Sequence, residues 1–335
     1  MSLRRSAGPY MNDTSPDLIL QTAAGFMMSK HLFAANELGL FEKLADRPLT
    51  LDELAKDLSI PPRTARITAD AMVALGFLEK QDDRYRNSSV SQTFLSGKTP
   101  ADLRPFLRFW NHISYPKWLH LEEALRTNRG VRADLAPDQQ RIFSEGVAAI
   151  QAGPAHALPE KYDFTRQRKV LDLGGGVGEY LVPILDRYPQ LEGTLFELPS
   201  VTEVAKDALA ANPVGSRINI VAGDLFEDAI PEDHDVLILA NVVHYFDHAR
   251  NLELLRRIRE RVLAGARVLL VDFWTNPQHT EPLFAAVMAG EFLTSVGGDV
   301  FSQEEAKGWF RETGWKYVQT IPLEGPISLV VGEAI

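Results

Sequence analysis

Apolar positions recur at two spacings along this chain, helical in the first half and alternating strand with helix in the second. From Pro16 to Leu44 they fall at helical intervals: Leu18, Leu20, Ala24, Met27, Met28, His31, Leu32, Ala35 and Leu38. Gly39 breaks the run and Leu40–Leu44 resumes a short helix. Thr50 followed by Asp52 and Glu53 is a cap with acids in the first turn, predicting a helix to about Leu58. Pro61-Pro62 starts another, which ends at Gly76. Phe77–Lys80, Asp82-Asp83 and Arg84–Arg86 read as strand, turn and strand. Helix, turn, helix and hairpin in this order predict a winged helix.

An aromatic-rich helical stretch follows, from Pro105 to Arg129, then a helix over Phe143–Ile150 that Gly153-Pro154 is expected to end. From Lys169 strand and helix alternate, the signature of an open, mostly parallel sheet. The predicted strands are Val170–Leu173, Thr194–Glu197, Ile218–Ala222, Val236–Ala240, Val268–Asp272, Tyr317–Ile321 and Ile327–Val331. Helices are expected over Glu179–Tyr188, Ser200–Ala211 and Asp247–Leu263. The predicted organisation is a winged-helix-like domain over 14–100, a helical linker over 101–160 and an α/β domain over 161–335.

Composition narrows the field. The 335 residues are 45% hydrophobic and 24% charged, ordinary for a globular protein. A formal charge of −10 argues against nucleic acid or an anionic membrane as partner. It also counts against a DNA-reading winged helix, whose second helix would set Arg63 and Arg66 beside Asp70 and whose hairpin tip is acidic. With no cysteine there is no disulfide, thiolate metal site or thiol nucleophile, which fits a reducing compartment and an expected cytoplasmic location. No apolar run approaches the roughly 18 residues of a membrane span. Met1–Asp13 is polar, lacks the apolar centre of a signal peptide and reads as a disordered lead.

The candidate chemistry clusters at predicted strand ends. Val170-Leu171-Asp172-Leu173-Gly174-Gly175-Gly176-Val177-Gly178 reads as strand, tight turn and helix start. Such a turn offers backbone N–H groups to a ligand that comes close to the main chain. A dinucleotide fingerprint needs a third glycine where Glu179 or Leu181 stands, so a pyrophosphate ligand is disfavoured. S-adenosylmethionine remains, as does a tight connection that holds nothing. Glu197 ends the second strand about 20 residues on, where an acid can take two ribose hydroxyls. Gly223-Asp224-Leu225-Phe226 follows the third, with Asp224 suited to an adenine amino group and Leu225 to its face. Three such positions on consecutive strand ends point to one ligand at the carboxyl edge of the sheet.

After the fourth strand comes Asn241-Val242-Val243-His244-Tyr245-Phe246-Asp247. At this point the chain, from about Pro16 to its end, resembles the S-adenosylmethionine-dependent small-molecule O-methyltransferases with an N-terminal dimerisation domain. Plant caffeate-type and bacterial antibiotic-tailoring enzymes belong to that family. The resemblance rests on Glu37-Leu38-Gly39-Leu40, the winged-helix segment, Leu171–Gly178, Gly223–Phe226 and the histidine after the fourth strand. It implies a Rossmann-like sheet of seven strands. It implies that Gly174, Gly175 and Gly176 hold the methionine part, Glu197 the ribose, and Asp224 and Leu225 the adenine, with Asp172, Phe226 and Asn241 in the same site. His244 falls on the family's general base and Asp272 on an acid that orients it. The expected acceptor is a hydroxyl of an aromatic or polyketide-like molecule, in a pocket lined by Trp110, His112, Tyr115, Tyr245, Met288 and Phe292. The expected assembly is a homodimer through the N-terminal domain.

Two departures bear on the chemistry. Tyr245-Phe246 stands where the family usually has Asp-Trp, and Val300 where it usually has a second acid against the histidine, with Asp299 one position earlier as a substitute. C- or N-methylation, or a reaction that transfers no methyl, therefore stays open, as does a winged-helix regulator. His244 and His248, four apart, would share a face if their segment were helical, but a third metal ligand is not evident and no metal is expected.

Overall fold

The computed structural model describes residues 15–131 and 135–335; the expected lead over Met1–Asp13 lies outside them. The chain divides into two compact units, Met1–Arg108 and Phe109–Ile335, so most of the segment expected as a linker over 101–160 falls in the second.

In the first unit, helices Asp17–Ala23 and Gly25–Glu37 follow one another almost without a break, and Gly39 then turns the chain in the left-handed conformation, φ 71°, into Leu40–Lys43. Thr50 accepts from the Glu53 N–H while the Glu53 carboxylate accepts from the Thr50 N–H, a reciprocal cap that starts helix Leu51–Leu58. Helix Pro62–Ala74 follows. A three-stranded sheet completes the winged helix: β1 (Leu49–Thr50), β2 (Leu78–Gln81) and β3 (Arg84–Asn87), in the order β1-β3-β2. The sequence marks β2 and β3 but not β1, which is two residues long and hidden as the lead-in to a cap. The Tyr85 ring is buried, and its hydroxyl donates to Asp70 at 2.7 Å while accepting from Lys80 at 2.8 Å. Arg66 also pairs with Asp70, at 3.2 Å. Of the two arginines of this helix, Arg66 is thus paired along the helix surface with Asp70.

The second unit is built on seven strands: β4 (Lys169–Leu173), β5 (Glu192–Glu197), β6 (Ile218–Ala222), β7 (Val236–Ala240), β8 (Arg267–Phe273), β9 (Trp315–Pro322) and β10 (Ile327–Ala334). Their order is β6-β5-β4-β7-β8-β10-β9, parallel through β8, with β10 antiparallel to both its neighbours. The strand order reverses at β4, running outward through β5 one way and to β7 the other, and this opens a crevice at the carboxyl ends of β4 and β7. One face of the sheet is covered around Leu181, Ile184 and Leu158, the other around Leu254, Ile258 and Trp309, all fully buried.

Two helices differ from expectation. Glu179–Tyr188 begins later, as Leu181–Arg187, because Gly178 at φ 93° keeps the chain in the turn. The helix expected to stop at Gly153-Pro154 runs as Pro137–Lys161, through Pro154 and Pro159. Each internal proline costs the helix a hydrogen bond. The fully buried Ala155 and Leu158, with Tyr188 donating its hydroxyl to the Pro159 carbonyl at 3.1 Å, offset that loss by packing.

Candidate active site

The loop after β4 carries Gly174, Gly176 and Gly178 with φ of 69°, 58° and 93°, backbone that residues with a Cβ rarely adopt. Gly175 is required for a different reason: a Cβ there would come within 2.4 Å of the Asp172 carboxyl group. The loop thus forms an open cradle of main chain over a buried acid, and it fits a ligand that lies against backbone.

Glu197, at the end of β5, accepts from the Gly176 N–H at 3.0 Å and, through its other oxygen, from the Leu198 N–H at 2.7 Å. Each oxygen keeps a second lone pair for a hydroxyl donor. After β6, Asp224 Oδ1 accepts from the Phe226 and Glu227 N–H groups at 2.8 and 3.3 Å, which holds the side chain still and leaves Oδ2 for a ligand. Leu225 beside it is half-buried. Phe226 is buried, with the Arg250 guanidinium 3.6 Å above its ring and Phe246 edge-on at 4.9 Å. Asn241, just past the end of β7, sits in the left-handed region at φ 56°, which asparagine tolerates, and its amide oxygen has no partner among the described residues.

A 3₁₀ turn, Val243–Tyr245, follows β7 and carries His244. The imidazole is buried, and its Nδ1 lies 2.9 and 3.0 Å from the two oxygens of Asp272, near the end of β8. Asp272 also accepts from the Phe273 N–H at 2.8 Å, which fixes the carboxylate in turn. A carboxylate on Nδ1 sets the tautomer so that Nε2 carries the lone pair. Phe292 lies flat against the imidazole, centroids 3.7 Å apart and planes 9° from parallel, and Tyr245 stacks at 4.8 Å.

The expected acceptor-pocket residues meet in part. Trp110 stacks on Phe284, Phe284 meets Phe273, and Phe273 meets Phe292, with ring centroids 6.5, 6.0 and 5.9 Å apart. This line of rings runs from Trp110 to His244 and Tyr245. Met288 packs on the same core. Tyr115 is half-buried and His112 exposed, both on the helical stretch that passes through a π-helical turn at Trp110–Ser114. Glu291, buried beside Phe292, accepts from Ser114 at 2.6 Å and from the Trp118 indole, and so ties that stretch to helix Leu283–Val296.

One sequence reading beside His244 is corrected. Asp299 does not supply a second carboxylate to the imidazole: its N–H donates to the His244 carbonyl at 3.1 Å while its own carboxylate accepts from the Val300 N–H at 2.7 Å. Val300 is core. His244 and His248 are not a metal pair, because Asp247 caps the helix that starts at His248, so the two histidines belong to different turns; His248 accepts from Trp309, and no metal-binding cluster exists among the described residues. Gly298 also has a role that the sequence leaves unassigned. A Cβ there would sit 1.8 Å from the His244 carbonyl oxygen, so this glycine permits the approach that seats the histidine turn.

An O-methyltransferase domain model matches residues 131–316, and an O-methyltransferase dimerisation domain model matches 20–97. The seven-strand order and the crevice already define the class I methyltransferase fold. The chain belongs to the O-methyltransferase family and is an S-adenosylmethionine-dependent enzyme with an N-terminal dimerisation domain. Among its relatives is the 3-hydroxy-5-methyl-1-naphthoate 3-O-methyltransferase of Streptomyces sahachiroi, 30% identical over 93% of this chain and 92% of the relative. Another is the tetracenomycin polyketide synthesis 8-O-methyl transferase TcmO of Streptomyces glaucescens, 31% identical over 97% and 98%. The solved structure of PigF with SAH superposes with a TM-score of 0.83 at 28% identity, covering 96% of this chain and 99% of that one.

Proposed function

We propose that this enzyme methylates a hydroxyl of an aromatic or polyketide-like small molecule, with His244 as general base and Asp272 as the residue that orients it. The observation that carries this reading is the buried His244–Asp272 pair at the carboxyl edge of the sheet, with both carboxylate oxygens on Nδ1. When bound, the cofactor supplies a methyl group on a sulfonium, an electrophile with an excellent leaving group. The protein then has to align the acceptor and take its proton. A neutral imidazole within reach can accept the proton of a phenol as the new bond forms. The line of rings from Trp110 to Phe292 suits a flat acceptor. The relatives' naphthoate and tetracenomycin names support the same substrate class.

The cofactor lies, in this reading, along Gly174–Gly176, with Glu197 on the ribose, Asp224 and Leu225 at the adenine, and Asp172, Phe226 and Asn241 shaping the cradle. The partner is a second copy of the chain. Leu18, Ile19, Leu20, Phe26 and Met27 are each more than half exposed along the first two helices, within or beside the stretch that matches the dimerisation model.

The test is incubation with S-adenosylmethionine and a panel of hydroxylated naphthoates and polyketide aromatics, with products read by mass and the methyl located by NMR. A gain of one methyl on oxygen is expected. A methyl found on carbon or nitrogen would overturn the hydroxyl acceptor while leaving the cofactor site intact.

A further inference from the structure

The glycine cradle holds more negative charge than a neutral ligand would call for. Asp172 is completely buried on β4, and neither carboxylate oxygen has a hydrogen-bond partner among the described residues. Its carboxyl group lies directly beneath Gly175. Glu179, at the far end of the turn, folds back so that one oxygen accepts from the Val177 N–H at 3.1 Å and lies within 2.9 Å of where a Cβ on Gly176 would be. Glu197 reaches the same turn from β5 through the Gly176 N–H. The charged groups that face Asp172 are the carboxylates of Glu179 and Glu197. Tyr180, at the start of the next helix, also feels the Asp172 charge, and its hydroxyl donates to Gln151 at 2.7 Å. Asp272 on β8 also faces Tyr180, and its carboxylate is engaged by His244 Nδ1 at 2.9 Å.

A buried carboxylate without donor or cation costs several kcal/mol to ionise. Burial first, and the Glu179 and Glu197 carboxylates second, push Asp172 well above the usual carboxylate range. Burial pushes Glu179 up as well. The methyl donor is a net cation, because its sulfonium and ammonium outweigh its one carboxylate. The demethylated product has lost the sulfonium charge and is net neutral.

We propose that Asp172, Glu179 and Glu197 form a charge reader that holds one proton in the free enzyme and gives it up to solvent when the cationic donor binds, so that donor and product are told apart by charge. The proposal rests on the reading of the cradle as the cofactor site. It also gives a role to Glu179, the acid at the slot where a dinucleotide-binding turn would have its third glycine. Donor binding strengthens as pH rises, since the released proton is then taken up more readily, and product binding stays level. Preference for donor over product therefore rises with pH.

The test is titration calorimetry of S-adenosylmethionine and S-adenosylhomocysteine against the full-length enzyme, in buffers of different ionisation enthalpy and at a series of pH values at which the enzyme stays folded. Close to one proton should leave per donor bound, and far fewer per product. The donor Kd should fall by up to about tenfold per pH unit over the range where the cluster holds its proton. Glu179→Gln should weaken donor binding about tenfold and shift product binding by less than about twofold, a charged contact having been lost for one ligand alone. Equal proton counts for the two ligands in wild-type enzyme would overturn the proposal without needing any variant, as would a Glu179→Gln loss shared by both. Failure of either ligand to bind would instead remove the cofactor reading on which the proposal stands.

Discussion

An imidazole clamped at one nitrogen by a carboxylate and covered on its face by a phenyl ring has few ways to move. His244 is held in this way by Asp272 and Phe292, and the turn that carries it is seated against the Asp299 N–H by a glycine that tolerates no side chain, Gly298. The sequence reading expects Phe292 in the lining of the acceptor pocket; the structure gives one of its faces to the His244 imidazole. Phe292→Leu keeps an apolar side chain and removes the stacking. An aromatic pair contributes about 0.5–1.5 kcal/mol, so turnover should fall roughly 2- to 10-fold, with cofactor affinity unchanged. Steady-state kinetics with calorimetry on the same preparation decide it; an unchanged kcat would mean that Asp272 alone orients the ring. The family resemblance offers His244, after the fourth strand, and Asp272, ending the fifth. The sequence cannot show that Phe292 meets the imidazole or that Glu291 ties Ser114 and Trp118, because these contacts join segments far apart in the chain. Gly298 is visible as half of a glycine pair, but its reason, a 1.8 Å conflict with the His244 carbonyl, exists only in three dimensions.

At the scale of elements, local rules read well where local chemistry decides. The Thr50–Glu53 cap, the Pro62 start and the Asp82-Asp83 turn, with Asp82 at φ 54°, form from residues within a few positions of one another. The seven strands of the second unit are legible because runs such as Val236–Ala240, buried almost throughout, are bounded by turn residues on both sides. Local rules fail where packing overrides them, as in helix Pro137–Lys161, whose two internal prolines are outweighed by burial of Ala155 and Leu158. The cap gives a quantitative check. Thr50→Ala removes the acceptor of the Glu53 N–H and should cost about 1 kcal/mol. Urea unfolding followed through the first unit should show a lower midpoint at constant m. No change in the midpoint would mean that Leu51–Leu58 is held by its buried face alone.

At the scale of the whole molecule, the first two helices among the described residues leave large apolar side chains open. The stripe Leu18–Met28 is exposed in the isolated chain, a liability that pairing with a second copy removes. Sedimentation should therefore find twice the 37.3 kDa chain mass at micromolar concentration. Met27→Asp, placing a charge where a 53% exposed methionine stands, should shift the protein toward monomer. A wild type that sediments as a monomer would contradict the dimer. None of the helices among the described residues is long and apolar enough to cross a membrane.

Whether His244 takes the acceptor's proton is decided by single-turnover methyl transfer, wild type against His244→Ala, with cofactor saturating and pH varied. The variant should be slower by about 10²–10⁴, the usual contribution of a general base. Its cofactor binding should be unchanged, and its rate should recover as pH rises toward the acceptor's own ionisation. Equal rates for the two proteins across the pH range would contradict a general-base histidine, and would leave an enzyme that works by alignment alone on an oxygen already ionised or on a nucleophilic carbon.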